Sequence, residues 1–272
     1  MEYEIKPEKK ISFGLSELWQ YRELFYFFTW RDIKVKYKQT VLGFAWAVLQ
    51  PLLMMFVFSF FFGQTLKVPS ENIPYPIFVF SGLLLWNIFS SGLANAGNSM
   101  VTNANIIKKI YFPRLIIPLS AVLVALFDFF MALIVFAGIL VYYQFPFDGI
   151  KFLLLFPLSL SLCVISTFGA GTLLAALNVK YRDVRYVIPF LIQALLFITP
   201  VIYPVSIFNN HLAKIIMAFN PMTGAIVLFR SVLTNQVPEW NIVIIGICSA
   251  LVLLITGLFY FRKTEAYFAD LA

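Results

Sequence analysis

Long apolar stretches alternate with short polar segments along most of the chain. The first stretch, Gln39–Leu66, contains no charged side chain and exceeds the length of about 20 residues that one transmembrane helix needs. Comparable stretches follow, so the pattern predicts an all-α integral membrane protein with six transmembrane helices. We place the first span at Thr40–Gly63, the third at Leu115–Tyr143, the fourth at Phe152–Leu177 and the sixth at Trp240–Phe261. The second span begins at Asn72 and ends between Ser90 and Asn105. The fifth begins near Val187, and Pro200 and Pro204 interrupt its outer end.

The segment before the first span has a different pattern. Between Leu15 and Trp30, apolar side chains recur every three or four residues among polar neighbours, at Leu18, Tyr21, Phe25 and Phe28. This spacing is typical of an amphipathic helix that lies in the membrane interface, although a helix packed against a soluble partner has the same pattern. We therefore divide the chain into a cytoplasmic tail with an interface helix, residues 1–38, and a six-span transmembrane domain, residues 39–272.

A short apolar stretch between the fifth and sixth spans, Ile215–Phe229, is too short to cross the membrane. It is interrupted by Asn220 and Pro221. Irregular backbone is tolerated at membrane depth only where protein or water surrounds it, so we predict two short re-entrant helices that enter from the outer side. Asn220 and Pro221 form their hinge, and together with Arg230 they make a candidate outer gate.

Composition and charge agree with a multi-pass membrane protein and indicate its orientation. The chain is 61% hydrophobic and 12% charged, against about 25% charged residues in a soluble domain. With both termini in the cytoplasm, the Lys and Arg side chains that lie outside are Lys67, Lys151, Lys214 and Arg230, and the others lie inside. Because basic segments are retained on the cytoplasmic side, we interpret the net charge of +7 as this orientation bias and not as a nucleic-acid footprint. We expect a protein of the cytoplasmic (inner) membrane in contact with its lipids.

The sequence contains few residues with catalytic potential. His211 is the single histidine, and Cys163 and Cys248 lie in apolar stretches without metal-ligand spacing. The sequence has no phosphate-binding G-x-x-x-x-G-K-[ST] motif, no paired carboxylates and no Ser–His arrangement. We therefore expect no catalytic residue, metal or cofactor in this chain, and interpret it as a transporter, a channel or a scaffold. If ATP drives transport, another subunit must hydrolyse it.

Basic residues cluster in three predicted cytoplasmic segments: the collar Arg31–Lys38, the loop Asn105–Arg114 and the loop Asn178–Tyr186. Short loops of this kind suit the docking of a cytoplasmic partner, although simple anchoring to anionic lipid would explain them as well. The candidate docking residues are Arg31, Lys108, Lys109, Tyr181, Arg182, Asp183 and Arg185.

One acidic residue, Asp128, lies within a predicted span. An ionisable group inside the membrane is costly and is a functional candidate by default, so ion-coupled transport with Asp128 as the carrier is one hypothesis. The alternative is a structural carboxyl that is protonated or hydrogen-bonded to a neighbouring helix or subunit. We favour this alternative because no basic residue lies in another apolar stretch.

Five blocks of sequence follow one another between Arg31 and Arg230. They read RDIKVKYKQTVLGFAWAVLQPLL, PYPIFVFSGLLLW, NANIIKKIYFPRLIIPLS, LNVKYRDVRYVIPFLIQALLFITPVIYP and NPMTGAIVLFR. Together they resemble the membrane subunit of the polysaccharide ABC exporters, which export lipid-linked O antigens, capsules and teichoic acids. The resemblance implies a homodimeric permease, two copies of a separate ATPase that binds ATP and Mg²⁺, and a lipid-linked polysaccharide as substrate. An exporter of a small amphiphile or lipid would have the same architecture.

A channel for a long polysaccharide must be continuous, because an occluded pocket cannot enclose the polymer. The C–H faces of sugar rings stack on aromatic rings, and stacking tolerates a change of position, as it does for nucleic-acid bases. The first, second and fifth spans contain the candidate aromatic residues Phe44, Trp46, Trp86, Phe89, Phe197 and Tyr203. Aromatic belts at the membrane interfaces would also explain such positions. We expect spans one and five to form the walls of the path.

Overall fold

The computed structural model describes residues 19–38, 40, 42–146, 148–234, 236–265 and 268. All regular secondary structure in these residues is helical, which confirms the predicted all-α fold. The helices are α1 (Arg22–Lys38), α2 (Ala45–Phe58) with a π-helical continuation (Ser59–Thr65), α3 (Tyr75–Thr102), α4 (Ala104–Ile107), α5 (Ile116–Tyr142), α6 (Gly149–Lys180), α7 (Val184–Ile198), a 3₁₀ turn (Val205–Ile207), α8 (His211–Ala218), α9 (Pro221–Thr234) and α10 (Trp240–Glu265). The predicted solvated tail, residues 1–14, and the first four residues of the predicted amphipathic segment, Leu15–Leu18, lie outside the described residues.

Five of the described helices are long and apolar enough to cross a membrane. They are α2 with its π-helical continuation, α3, α5, α6 and α10, and they correspond to the first, second, third, fourth and sixth predicted spans. The end of α3 at Thr102 lies within the range that the sequence predicts.

The predicted fifth span corresponds to a shorter helix. α7 has 15 residues, which extend about 22 Å and fall short of a hydrocarbon core of about 30 Å. The helix ends at Ile198 because a residue before proline disfavours helical backbone, and Thr199, which precedes Pro200, is extended. The count of six spans, with α7 as the fifth, therefore remains a prediction.

Two short helices lie between α7 and α10, as the sequence predicts. The axes of α8 and α9 differ by 103°. Pro221 is the first residue of α9, a position at which the N–H that proline lacks would have no intrahelical partner. The Asn220 side chain accepts a hydrogen bond from the backbone nitrogen of Met222 (3.1 Å). The bend therefore coincides with the predicted hinge at Asn220 and Pro221.

α3 is the central helix of the bundle. About 78% of its apolar segment is buried, whereas the corresponding figure for α2 is 11%. Small residues let the neighbouring α6 approach, since a Cβ atom on Gly171 of α6 would lie 2.8 Å from Ala96 of α3. Aromatic rings fill the core beside it, among them Phe80, Phe129, Phe136, Phe156 and Phe229. α2 and α7 lie at the periphery, and many of their apolar side chains are exposed.

α1 extends through the basic collar to Lys38, beyond the predicted end at Trp30. Glu23 lies in its first turn, and Lys36 and Lys38 lie in its last. Acidic residues near a helix N-terminus and basic residues near its C-terminus interact favourably with the helix dipole. The collar is therefore a helical segment and not a loop.

The apolar stripe of α1 packs against the protein itself. Phe28 is buried and Phe25 is partly buried, and they join a cluster at the ends of several helices that contains Ile107, Phe112, Phe261 and Phe268. The chain's own residues therefore cover much of this stripe, and the position of α1 in the membrane interface remains a prediction. The opposite face of α1 exposes Tyr26, Phe27 and Trp30.

α6 and α10 approach each other closely at Gly169. A Cβ atom at this position would lie 2.6 Å from the backbone nitrogen of Leu254, so the helices must separate to accept it. We expect Gly169→Ala to lower stability by about 1–3 kcal/mol, seen as a lower melting temperature of the purified protein in detergent. Gly138→Ala is the matched control, since no atom lies within 4 Å of a Cβ there. Equal melting temperatures for the two variants would contradict the close contact.

Candidate functional site

The last turn of α1 contacts the middle of α5. Lys36 Nζ forms an ion pair with Asp128 Oδ2, and the Tyr37 hydroxyl donates a hydrogen bond to Asp128 Oδ1. Burial, together with the adjacent carboxylate, raises the pKa of Tyr37, so its hydroxyl stays protonated and acts as a donor. The Phe44 ring lies 4.5 Å from the Tyr37 ring. Both oxygens of Asp128 are therefore bound by α1.

The ion pair gives Asp128 a basic partner, although no basic residue lies in another apolar stretch. The partner, Lys36, lies in the collar before the first span, because α1 packs along α5 and brings its last turn to the carboxylate. A carboxylate that binds an ammonium group and a phenolic hydroxyl holds two helices together. This arrangement supports a structural role for Asp128 over that of an ion carrier.

A cavity of about 420 Å³ adjoins Asp128. Helices α1, α2, α3, α5 and α7 contribute to its wall. Its uncharged polar lining comes from α1 with Tyr37, α2 with Gln50 and α3 with Asn87, Ser90 and Ser91. Trp46, one of the predicted aromatic residues, also lines it. The cavity therefore combines an ion pair, amide and hydroxyl groups, and an aromatic ring.

The predicted docking residues on the loops after α4 and α6 are exposed. They are Lys108, Lys109, Tyr181, Arg182, Asp183 and Arg185, and Tyr111 and Tyr186 are exposed beside them. Within the described ranges, Lys108, Lys109, Arg182 and Arg185 make no ion pair. We refer to Lys108–Tyr111 and Tyr181–Tyr186 as the basic segments. The exposed side chains of Lys108, Lys109, Arg182 and Arg185 can therefore bind another molecule.

Arg31 differs from the other docking candidates because it binds its own chain. Its guanidinium group lies 2.7 Å from an oxygen of Asp32 and donates a hydrogen bond to Asn103 Oδ1 (2.8 Å). It also lies 4.7 Å from the centroid of the Phe28 ring, which in turn is 5.5 Å from the ring of Phe112. Arg31 therefore joins α1 to the segment between α3 and α5, next to one of the basic segments.

Arg230 of α9 is 4% exposed and binds backbone carbonyl groups. Its Nη1 donates to the oxygens of Pro200 (2.7 Å) and Tyr203 (3.4 Å). Its Nη2 donates to the oxygens of Val201 (2.6 Å) and Phe78 (3.2 Å). The guanidinium group also lies 3.5 Å from the centroid of the Phe78 ring. Arg230 thus fastens the irregular segment after α7 to α3 and α9.

The hinge between α8 and α9 binds the same irregular segment. Asn220 Nδ2 donates a hydrogen bond to Thr199 Oγ1 (2.7 Å). Further along, the Tyr203 hydroxyl donates to the backbone oxygens of Phe197 (2.8 Å) and Ile198 (3.0 Å), which closes the end of α7. The three predicted gate residues therefore lie in one structural unit with the end of the predicted fifth span.

The predicted aromatic residues fall into two groups. Phe44, Trp46 and Phe197 are 51%, 46% and 58% exposed, and Tyr203 is partly buried. Trp86 and Phe89 are 5% and 4% exposed, with ring centroids 5.6 Å apart. Because α3 is central, these two rings pack inside the chain, and we leave them out of the proposed path.

Sequence reasoning missed several polar residues at the site. The sequence could have indicated Gln50 and Asn87, because each is a polar side chain within an apolar stretch. Such residues face a protein interior or a cavity. Lys36 and Tyr37 had no such signal, since Asp128 is more than 90 residues away in the sequence. Asn103, the partner of Arg31, lies 72 positions from it in the sequence and had no such signal either.

Comparison with known proteins identifies relatives of this architecture. Residues 23–234 match the family described as ABC-2 type transporter. An O-antigen export system permease protein RfbA of Klebsiella pneumoniae is 30% identical over 263 residues, which are 96% of this chain and 98% of the relative. The RfbA protein of Myxococcus xanthus is 29% identical over 93% of this chain and 97% of its own. The polysialic acid transport protein KpsM of Escherichia coli is 23% identical over 86% and 91%. With its apolar helices and the family match over most of its length, the chain belongs to the ABC-2 type transporter family of multi-pass membrane proteins.

Proposed function

We propose that the chain is the transmembrane subunit of an ATP-driven exporter that moves a lipid-linked polysaccharide across the cytoplasmic membrane. The observation that carries this proposal is similarity over nearly the full length of relatives named O-antigen export permeases. The polysialic acid transport protein, a more distant relative, also has a polysaccharide in its name. These names favour a polysaccharide over a small amphiphile as the substrate.

In this proposal, two copies of a separate ABC ATPase bind ATP and Mg²⁺ and dock on the basic segments. Lys108, Lys109, Arg182 and Arg185 are exposed and make no ion pair within the described residues. Lysine and arginine form strong hydrogen bonds with carboxylates, and Tyr181 and Asp183 add further polar groups. Because basic loops stay in the cytoplasm, this docking side is cytoplasmic, as are both termini.

A second copy of the chain completes the transport path. α2 and α7 expose large apolar side chains, including Phe56 and Phe190, and such surfaces face lipid or another subunit. Phe44, Trp46 and Phe197 are exposed on or beside these helices, and we place them in the path between two protomers. Asn220, Pro221 and Arg230, which bind or adjoin the end of α7, form the outer gate.

Gene deletion and purification test this function. We expect deletion to remove a polysaccharide from the cell surface and to leave it inside the cell. The tagged chain, isolated from native membranes into lipid nanodiscs, should have the mass of two permease and two ATPase subunits. An unchanged surface polysaccharide, or a monomer without ATPase, would contradict the proposal.

Replacement of Phe44, Trp46 and Phe197 by leucine tests the path. Leucine is compatible with lipid but cannot stack on a sugar ring, so export of long polymer should fall while ATPase binding persists. Tyr142→Leu is the matched control, because Tyr142 is an exposed aromatic residue at the end of α5. Equal export by the triple variant and the control would show that these rings face lipid.

A further inference from the structure

We propose that the cavity beside Asp128 is a subsite for one or two uncharged sugar rings of the exported polymer. This inference rests on the proposed function, because it presumes a polysaccharide substrate. The cavity, at about 420 Å³, lies within the range of roughly 300–1,000 Å³ that is usual for small-ligand sites. Trp46 and Pro51 of α2 and Pro189 of α7 line it, so it adjoins both predicted walls of the path.

The polar groups of the cavity match the hydroxyl groups of a sugar. The amides of Gln50 and Asn87 each offer a donor and an acceptor, and neither side chain has a hydrogen-bond partner among the described residues. Ser90 and Ser91 donate their hydroxyl hydrogens to the backbone oxygen of Asn87 (3.5 and 2.6 Å). The serine oxygens are thereby left as acceptors. Mixed donors and acceptors suit a ligand whose hydroxyl groups are both.

The aromatic ring of Trp46 provides a complementary apolar contact. The face of an aromatic ring carries partial negative charge, which attracts the slightly positive C–H groups on the face of a sugar. Trp46 lies one turn from Gln50 on α2, so the ring and the amide can contact the same sugar. Amide groups with one aromatic ring can therefore bind both the edge and the face of a sugar.

The charges favour a neutral ring over a phosphate group. Lys36 is paired with Asp128, so its charge is already compensated, and the carboxylate would repel an anion. Placing like charges next to each other at a binding surface is unfavourable. The remaining lining residues, including Asn87 and Ser91, are uncharged. A diphosphate that links a glycan to its lipid would therefore bind elsewhere.

Photolabelling with two matched amphiphiles distinguishes these ligands. The probes are a dodecyl maltoside and a dodecyl phosphate, each with a diazirine in the head group, added to the permease–ATPase complex in detergent-free nanodiscs. We expect the maltoside probe to label the peptides around Trp46–Pro51 and Asn87–Ala94, and unlabelled maltoside to suppress this labelling. The phosphate probe should label these peptides several-fold less.

Variants connect the labelling to the cavity. Asn87→Leu removes an amide that a bound sugar would use, and we expect roughly tenfold less labelling, which corresponds to a loss of about 1.4 kcal/mol. Gln50→Leu should act in the same direction and serves as a second variant if Asn87→Leu fails to fold. Asn95→Leu is the matched control, because Asn95 is exposed on the same helix and does not line the cavity.

Equal labelling of the Asn87→Leu and Asn95→Leu variants, or stronger labelling by the phosphate probe, would overturn the inference. Export by the wild-type chain is measured in parallel. If the wild-type chain restores surface polysaccharide but the maltoside labelling is absent, the subsite is wrong and the proposed function stands. If the wild-type chain restores no polysaccharide, the proposed function is wrong, and the subsite inference, which rests on it, is wrong as well.

Discussion

Replacement of Arg230 by methionine is expected to lower the melting temperature of the purified protein more than any other substitution considered for this chain. The guanidinium group donates to four backbone carbonyl groups in a buried site. Each buried acceptor that loses its partner costs about 1–3 kcal/mol, so the sum is comparable with a typical net stability of about 5–15 kcal/mol. Methionine fills similar space but donates no hydrogen bond, which isolates the polar contribution.

Two further variants accompany this measurement, one as a control and one as a second test of the same contact. Arg185→Met removes an exposed arginine without an ion-pair partner in the described chain and should leave the melting temperature unchanged. Gly82→Ala should be destabilising, because its Cβ would lie 2.9 Å from Arg230 Nη2 and 3.0 Å from the Val201 oxygen. A melting temperature for Arg230→Met equal to that of Arg185→Met would disprove the role of Arg230.

The double variant Arg182→Glu, Arg185→Glu is expected to lose most ATP-driven export while it still inserts in the membrane. Arg182 is exposed in the turn before α7 and Arg185 is exposed in the first turn of α7, so their reversal disturbs no internal side-chain contact. It replaces two positive donors, which would bind carboxylates of the ATPase, by two negative charges, which would repel those carboxylates. Such repulsion weakens a charged interface by several kcal/mol. ATP hydrolysis by the complex in nanodiscs should no longer respond to the substrate.

The control for this variant is another exposed basic residue. Lys67 follows the π-helical end of α2, away from the basic segments, and Lys67→Glu should keep wild-type export. Membrane insertion is checked for both by protein yield and melting temperature. Wild-type export by the double variant would mean that these arginines serve only to anchor the chain to lipid.

The positions of the long helices were predictable because their signal is local. The apolar stretches that predict α3, α5, α6 and α10 need no knowledge of tertiary contacts, and the bend at Asn220 and Pro221 follows from the chemistry of proline. The five sequence blocks also identified the correct family. The end of α7 was also indicated by Pro200. The contacts of Arg230 with the carbonyl groups of the segment after α7 were not predictable, because these residues lie about 30 positions apart in the sequence.

The candidate site was predictable only in part. The exposure of Arg182 and Arg185 was predictable, because both residues lie in a basic loop between two predicted spans. The burial of Trp86 and Phe89 was not predictable, because an aromatic residue in a span has the same local pattern whether it faces lipid, a channel or a neighbouring helix. The cavity beside Asp128 depends on side chains from five helices, and no window of sequence contains them together.

The contact between Lys36 and Asp128 also determines an order of events while the protein is made. The two residues are 92 positions apart, and a ribosome adds about 5–20 residues per second. Several seconds therefore pass after α1 emerges before its acidic partner exists, and α2 and α3 are synthesised in that interval. Asn103 and Phe112, which contact Arg31 and Phe28 of α1, are also made before α5. α1 can therefore be attached to the segment after α3 first, and the ion pair of its last turn with α5 can form only when Asp128 has been synthesised.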